Sequence, residues 1–265
     1  MKIPTFKTQS ELFDWLRQNK SMLIMEKKSV IKFADAVDCH RFSYDESKDV
    51  ISKADVNPDA INMAAFPVTV VINTTNLLDS HGDVHVQGLW GKSLKEQKNL
   101  YLLQEHQMSF DHIISDQVKA TARTMTWAEL GYKYEGSTQA LVFNARVEKD
   151  RNAYMAEQYA KDRVKNHSVG MRYVNISLAL NSESKFDKEE KAVWDKYYPT
   201  IANKETADES GYFFAVTEAK IVEGSAVPLG SNFATPTISV GKSQPEAEPE
   251  KSTPSSPLFW LPQNK

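Results

Sequence analysis

The sequence predicts an α+β protein: a mostly antiparallel, barrel-like β core with a few packed helices. Three observations support this class. β-branched runs such as Val68-Thr69-Val70-Val71-Ile72 are typical of buried strands. From Ser168 to Leu180, apolar residues alternate with polar ones over much of the segment, as in a strand with one buried face. The core contains six or seven short predicted strands and only one or two packed helices, a count that suits a barrel or a sandwich.

The individual elements follow from local patterns. An N-capped amphipathic helix is predicted after Ser10, a second helical pattern runs over 30–37, and further helices are expected over 90–98, 151–165 and 185–197. Strands are predicted over 68–72, 84–87, 100–103, 118–127, 140–146, 168–180 and 212–227.

These elements divide the chain into a core and three additions. Residues 1–65 form an N-terminal helical extension, and residues 66–240 form the core. Within the core, residues 181–210 carry eight acidic and five basic side chains, which predicts a solvated helix in a surface insertion. The tail, 241–265, holds five of the eleven prolines, so it is expected to be extended, and it ends in the apolar segment Leu258-Phe259-Trp260-Leu261.

Composition excludes several classes of protein. The 265 residues include 32 Lys and Arg against 35 Asp and Glu, a net charge of 32 − 35 = −3, which is unlike a basic nucleic-acid binder. The only cysteine, Cys39, excludes an internal disulfide and a Cys-x-x-Cys zinc site. No apolar run approaches the roughly 20 residues of a membrane span, so we expect no membrane partner. We therefore predict an intracellular protein that uses no cofactor.

Three residues are candidates for catalysis. His106 ends the apolar strand after Leu103, where a general base is held rigidly and can still reach a substrate. Ser168 lies between a helix and a strand, with Gly170 two residues later, but a serine needs a base to act as a nucleophile. Glu223 is an isolated acid in an apolar strand, and a buried carboxylate requires a partner such as a histidine.

Other residues compete for these roles. His81 and His85, with Asp79 and Asp83 beside them, have a spacing that suggests a metal site. On a turn, however, this spacing does not bring both rings to one face, and solvated histidines are the simpler interpretation. His112 and His167 are alternatives to Glu223 as the third member of a triad. Backbone N–H groups near Gly170 or Gly230 are candidates for an oxyanion hole.

The order of these motifs resembles that of the tailed-phage prohead serine proteases, distant relatives of the herpesvirus assemblins. The matching segments, over roughly residues 66–238, are Asp79-Ser80-His81-Gly82-Asp83, Leu102-Leu103-Gln104-Glu105-His106, Ser168-Val169-Gly170-Met171, Ile221-Val222-Glu223-Gly224-Ser225-Ala226-Val227 and Asn232-Phe233-Ala234. Two features depart from the family pattern: the insertion at 181–210, and Ile114-Ser115 where the family has a glycine.

The resemblance implies an assemblin-like fold and a serine endopeptidase of capsid maturation. Ser168 is then the nucleophile, His106 the base and Glu223 the third member. Its substrates are expected to be the scaffolding protein, the major capsid protein and the protease itself, inside the prohead in the host cytoplasm. Homo-oligomerisation is compatible with this function. The alternative is a scaffold-like or structural capsid protein that keeps the fold without turnover.

Overall fold

Two five-stranded mixed sheets and five α-helices make up the described part of the chain, residues 3–29, 54–96 and 99–242 of a computed structural model. The predicted α+β class is confirmed. The helices are α1 (Gln9–Ser29), α2 (Gly91–Lys95), α3 (Ala153–Ala160), α4 (Lys188–Tyr197) and α5 (Lys204–Ser210). The strands are β1 (Asp55–Val56), β2 (Ala65–Thr74), β3 (Asp83–His85), β4 (Leu102–Gln104), β5 (Ile113–Ser115), β6 (Val118–Thr126), β7 (Ser137–Glu148), β8 (Asn166–Leu180), β9 (Tyr212–Val227) and β10 (Thr237–Val240).

The first sheet has the order β1-β10-β2-β7-β6. Its centre, β2, is buried over most of its length, as its β-branched run predicts. Strand β2 pairs antiparallel with β10 on one side and with β7 on the other, and β7 pairs antiparallel with β6. Strand β1 joins the edge by pairing parallel with β10. Residues 55–56 therefore belong to a sheet, although the sequence places them in the N-terminal extension.

The second sheet is built around β9. Strand β8 runs antiparallel along one edge of β9, and the short strands β3 and β4 pair parallel with successive parts of the other edge. Strand β5 then pairs with β4. Three of the eight pairings in the two sheets are thus parallel, and neither sheet closes into a barrel within the described residues. The barrel-like expectation is corrected to two mixed sheets, because β3 and β4 return to β9 in the same direction.

The main hydrophobic core lies between the sheets. Phe143 of β7 and Ile72 of β2 approach Gly224 of β9 so closely that a Cβ at Gly224 would lie 2.6 Å from the Phe143 ring. Gly224 therefore faces the other sheet, and its neighbours Glu223 and Ser225 point to the opposite face of β9. A buried strand thus presents two polar side chains away from the core.

The N-terminal helix is confirmed, but its predicted cap is wrong. The helix begins at Gln9, before Ser10, and the Thr8 hydroxyl accepts the Glu11 N–H at 3.3 Å instead. Helix α1 buries Phe13, Leu16 and Leu23 against the core. The predicted helical segment 30–37 lies outside the described residues, as do the apolar segment 258–261 and nearly all of the tail. No helix among the described residues is long and apolar enough to cross a membrane.

The charged insertion is more than a solvated helix. Helix α4 occupies the predicted place, but Trp194 is only 3% exposed. Its indole stacks on Tyr198 with ring centroids 4.9 Å apart and lies 5.1 Å from the Phe213 ring of β9. Ile201 and Ala207 are buried in the same cluster. The insertion therefore has its own small core, built on the outer side of β9.

Replacing Trp194 by Ala should destabilise the protein by about 3–5 kcal/mol, because a fully buried indole leaves a cavity. Phe186→Ala, in the same insertion but 69% exposed, is the matched control and should cost less than about 1 kcal/mol. Urea unfolding followed by circular dichroism measures both values. Equal, small effects of the two substitutions would show that the insertion is not part of the cooperative fold.

Candidate active site

Ser168 lies near the start of β8, on the face that points away from the main core. Its neighbours Val169 and Met171 are core residues, so alternation along the strand turns Ser168 and Gly170 to the other face. The register pairs Ser168 with Ser225 and Gly170 with Glu223 across the β8–β9 ladder. Directly opposed side chains have Cβ atoms about 5 Å apart. Ser168 is 6% exposed, so this polar group is almost wholly covered.

His106 follows β4 in a tight turn. Both Glu105 and His106 have positive φ, 52° and 59°, and the Gln107 N–H donates to the Gln104 carbonyl at 3.0 Å. This is the pattern of a type I′ turn, which normally uses Asn or Gly at its central positions. Non-glycine residues in this conformation are uncommon and often occur at functional sites. The turn reverses the chain so that the imidazole lies over β9.

The imidazole meets the carboxylate of Glu223 there. His106 Nδ1 lies 2.7 Å from Glu223 Oε1, and the two side chains are 8% and 0% exposed. Ser225 binds both partners: its hydroxyl donates to Glu223 Oε2 at 2.6 Å and accepts the His106 backbone N–H at 3.1 Å. The structure thus brings His106 and Glu223 together. It also adds Ser225, and the sequence signal for this residue is its position two residues after Glu223, on the same face of β9.

Gly170 provides the space that the carboxylate occupies. A Cβ at Gly170 would clash with Glu223 Oε1 and lie 2.9 Å from the carboxyl carbon. The absence of a side chain at Gly170 therefore lets Glu223 approach the backbone of β8 closely. With Oε1 bound to His106, Oε2 bound to Ser225 and no side chain beneath it, the carboxylate is held in one orientation.

This arrangement defines the proton positions on the ring. An ionised carboxylate only accepts hydrogen bonds, so Nδ1 carries the proton in the pair with Glu223. Nε2 is then the nitrogen that can accept a proton from a hydroxyl. Ser168 is the third predicted residue, and its hydroxyl forms no hydrogen bond with Nε2 in the part of the chain that the structure describes. Such contacts are often long without substrate and tighten when it binds.

The rival histidines have other environments. His167 is fully buried, with Nε2 2.9 Å from the Tyr159 hydroxyl and Nδ1 3.1 Å from the Thr235 carbonyl. Burial lowers the pKa of His167 to about 4, so it stays neutral at pH 7. His112 bonds Ser109 Oγ at 2.6 Å in the β4–β5 connection. Neither ring is bonded to the Ser168 side chain among the described residues, and Glu223 is the partner that His106 has.

The turn before β3 is the second polar cluster. Asp79, His81 and Asp83 lie close enough to share an ion, but their carboxylates have partners. Asp79 Oδ1 accepts the backbone N–H groups of His81 and Asp83 at 2.9 Å, and Lys27 pairs with Asp83. The Lys27 ammonium already neutralises Asp83, and we assign no metal to this turn.

His85 is not the solvated turn residue that the sequence suggests. It is 2% exposed, with Nδ1 3.1 Å from Asn73 Oδ1 and Nε2 3.0 Å from the Tyr173 hydroxyl. The prediction is wrong because His85 lies in strand β3, where it faces the interior rather than the turn. Burial lowers the pKa of His85 and raises that of Tyr173. The pair lines a small pocket, which Ser168 and Asn232 also line.

The two glycines near the predicted oxyanion hole lie close to Ser168. Gly170 is two residues along β8, and Gly230 packs so tightly that a Cβ would lie 2.9 Å from the His167 carbonyl oxygen. The 228–232 loop therefore closes over the beginning of β8. The assignment of the Gly170 and Gly230 N–H groups to an oxyanion hole stays a prediction.

Replacing Gly170 by Ala should displace the Glu223 carboxylate and break its bond to His106. We expect a loss of about 1–3 kcal/mol, as for overpacking in a core, and loss of the downfield proton NMR signal of the His106 Nδ1–H. Gly91→Ala is the control, because a Cβ there meets no atom within 4 Å. A preserved Nδ1–H signal in the Gly170 variant would contradict the described geometry.

His167 should make the protein less stable as the pH falls from 6.5 to 4. In this interval the imidazole binds a proton in the unfolded chain but stays neutral in the folded protein. The free energy of unfolding therefore falls by up to ~3 kcal/mol, and the effect levels off below pH 4. His167→Gln removes this titration, and the difference between the two proteins isolates it from the similar effect of His85. Parallel pH–stability curves, measured by denaturant unfolding, would contradict the prediction.

Comparison of the chain with protein-family models, with curated proteins and with solved structures gave no match. The function must therefore be argued from the chemistry of the site: a buried histidine–glutamate pair, a serine that anchors it, and a second serine on the next strand.

Proposed function

We propose that the protein is a serine endopeptidase with Ser168 as nucleophile, His106 as general base and Glu223 as the third member. The observation that carries this proposal is the buried 2.7 Å contact between His106 Nδ1 and Glu223 Oε1, one strand away from Ser168. A histidine oriented by an acid next to a serine is the arrangement that activates a hydroxyl for acyl transfer.

The contacts of His106, Glu223 and Ser225 support the following steps of the proposed mechanism. Glu223 holds Nδ1 protonated, so Nε2 can take the Ser168 proton as Oγ attacks the scissile carbonyl. The carboxylate also stabilises the imidazolium that forms. The ring then gives this proton to the leaving amine, and water hydrolyses the acyl-enzyme by the same sequence. Ser225 keeps both the carboxylate and the His106 backbone in place.

The biological setting is proposed from the order of the motifs. The histidine, the serine and the glutamate follow one another as in the prohead proteases, and the first and last members form the pair that this order implies. We therefore propose cleavage of scaffolding and major capsid proteins, and of the protease itself, inside a phage prohead. A relationship to the assemblin fold and a homo-oligomeric state belong to the same proposal.

One observation favours the alternative, a capsid-assembly protein without turnover. The Ser168 hydroxyl and the His106 ring are not hydrogen-bonded in the described structure. A protein that keeps the fold for assembly alone has no need of that contact. The two functions differ in the reactivity of Ser168, which can be measured without knowing the natural substrate.

A fluorophosphonate probe should label Ser168, because only an activated serine attacks phosphorus readily. Peptide mass spectrometry of the labelled protein should find the adduct on the peptide that contains Ser168. Ser168→Ala and His106→Ala should lose the label, and Glu223→Gln should slow labelling by up to about 10⁴-fold through loss of the correct tautomer. Ser177→Ala, on the same strand, is the control and should label normally.

The same variants test turnover. Wild-type protein should trim an added, tagged Ser168→Ala chain over hours, as followed by intact mass, and the His106→Ala protein should not. A wild-type protein that neither reacts with the probe nor trims this chain would support the assembly protein. Unchanged labelling in His106→Ala would remove the proposed base.

A further inference from the structure

Helix α1 brings three basic side chains to buried acids of the core. Arg17 Nη1 lies 2.6 Å from Asp187 Oδ1, and Lys20 Nζ lies 2.6 Å from Glu190 Oε1. Lys27 pairs with Asp83 and donates to the His81 carbonyl at 3.1 Å. The side chains of the three acids are 2%, 6% and 0% exposed. We name these three acids, Asp83, Asp187 and Glu190, the acidic cradle.

The same side of α1 also carries its apolar contacts. Phe13, Leu16, Lys20, Leu23 and Lys27 follow one another at spacings of three and four residues, so they form a single stripe along the helix. The three apolar members are buried, and Phe13 reaches Gly211 at the end of α5. The stripe thus combines apolar and basic side chains, and it meets both apolar core residues and buried acids.

The acidic cradle is costly without a cation. A buried carboxylate that loses its charged partner destabilises a protein strongly, because the remaining charge is neither hydrated nor paired. Two of the three cradle residues have further support: Ser182 donates to Asp187 Oδ2 at 2.6 Å, and Tyr173 donates to Asp83 Oδ2 at 2.8 Å. Those neutral donors orient the carboxylates toward α1 but supply no charge. The surface is therefore suited to a basic helix.

We propose that the acidic cradle and its apolar surroundings are a receptor for a basic amphipathic helix, and that α1 stays bound there after the chain between residues 30 and 53 is cut. The apolar contacts and the ion pairs, rather than the covalent connection, hold the helix. If the protein processes its own N-terminal extension, the product is then a two-chain complex and not a core that has lost α1. The inference itself does not depend on the protease proposal.

The experiment uses the full chain carrying Ser168→Ala, which prevents self-trimming. The recognition sequence of a site-specific protease is inserted within residues 40–50, and the folded protein is cut. On size exclusion at 0.15 M salt, the fragment with α1 should elute together with the rest of the chain. Exchange against an excess of fluorescent synthetic peptide 3–29, followed by anisotropy, then measures the dissociation rate.

Charge variants test whether the cradle is the receptor. Lys20→Glu should speed dissociation by about 10-fold or more, and combining it with Glu190→Lys should restore slow dissociation. Lys27→Met should have a larger effect, because Asp83 is fully buried. Lys28→Glu, an equal change of charge at an exposed position of α1, is the matched control and should leave the rate unchanged.

Two outcomes would overturn the inference. Immediate separation of the cut Ser168→Ala protein into two peaks would show that the covalent connection holds α1. Equal dissociation rates for Lys20→Glu and Lys28→Glu would show that a basic partner is not required. Neither outcome bears on the reactivity of Ser168, so this test and the test of the protease proposal fail separately.

Discussion

The antiparallel pairing of β8 with β9 is the constraint on which the candidate site depends. It sets Ser168 opposite Ser225 and Gly170 opposite Glu223, so the four residues share one face of the sheet. A slip of one residue would turn one strand's polar residues into the core and its apolar residues outward. The buried residues on the inner face of β8 therefore fix the register, and the register fixes the distance between the nucleophile strand and the acid.

The buried carboxylate of Glu223 explains the unusual features around it. A charge with no exposure must be bonded on every side, and His106 and Ser225 each bind one of its oxygens. Gly170 is needed because a larger residue would fill the same space. The strained turn at His106 is tolerated because its N–H is bonded to Ser225. The glycine at position 170 and the strained turn at His106 thus have one cause, the burial of the Glu223 carboxylate.

The sequence is informative where local chemistry decides the structure. The β-branched run of β2, the amphipathic pattern of α1 and the need of Glu223 for a partner could be predicted from neighbouring residues alone. The parallel pairing of β3 and β4 with β9 could not, because it depends on contacts far apart in sequence. The type I′ turn at Glu105-His106 lacks the usual Asn or Gly, so its signal is absent. The burial of His85 could not be predicted either, because it depends on a strand of only three residues.

The two charged additions, α1 and the insertion, stabilise each other through ion pairs. Each carries many charged side chains, and the sequence accordingly predicts an amphipathic helix in one and a solvated helix in the other. Together they neutralise each other's charges while Trp194 and Leu16 remain buried.

Lys27 connects α1 to the strand that carries Ser168: it pairs with Asp83, which accepts a hydrogen bond from the Tyr173 hydroxyl of β8. The strand that carries Ser168 is therefore supported by β9 along one edge and, through this hydrogen bond, by a helix some 140 residues earlier in the sequence. Changes in α1 can act on the candidate site without touching it.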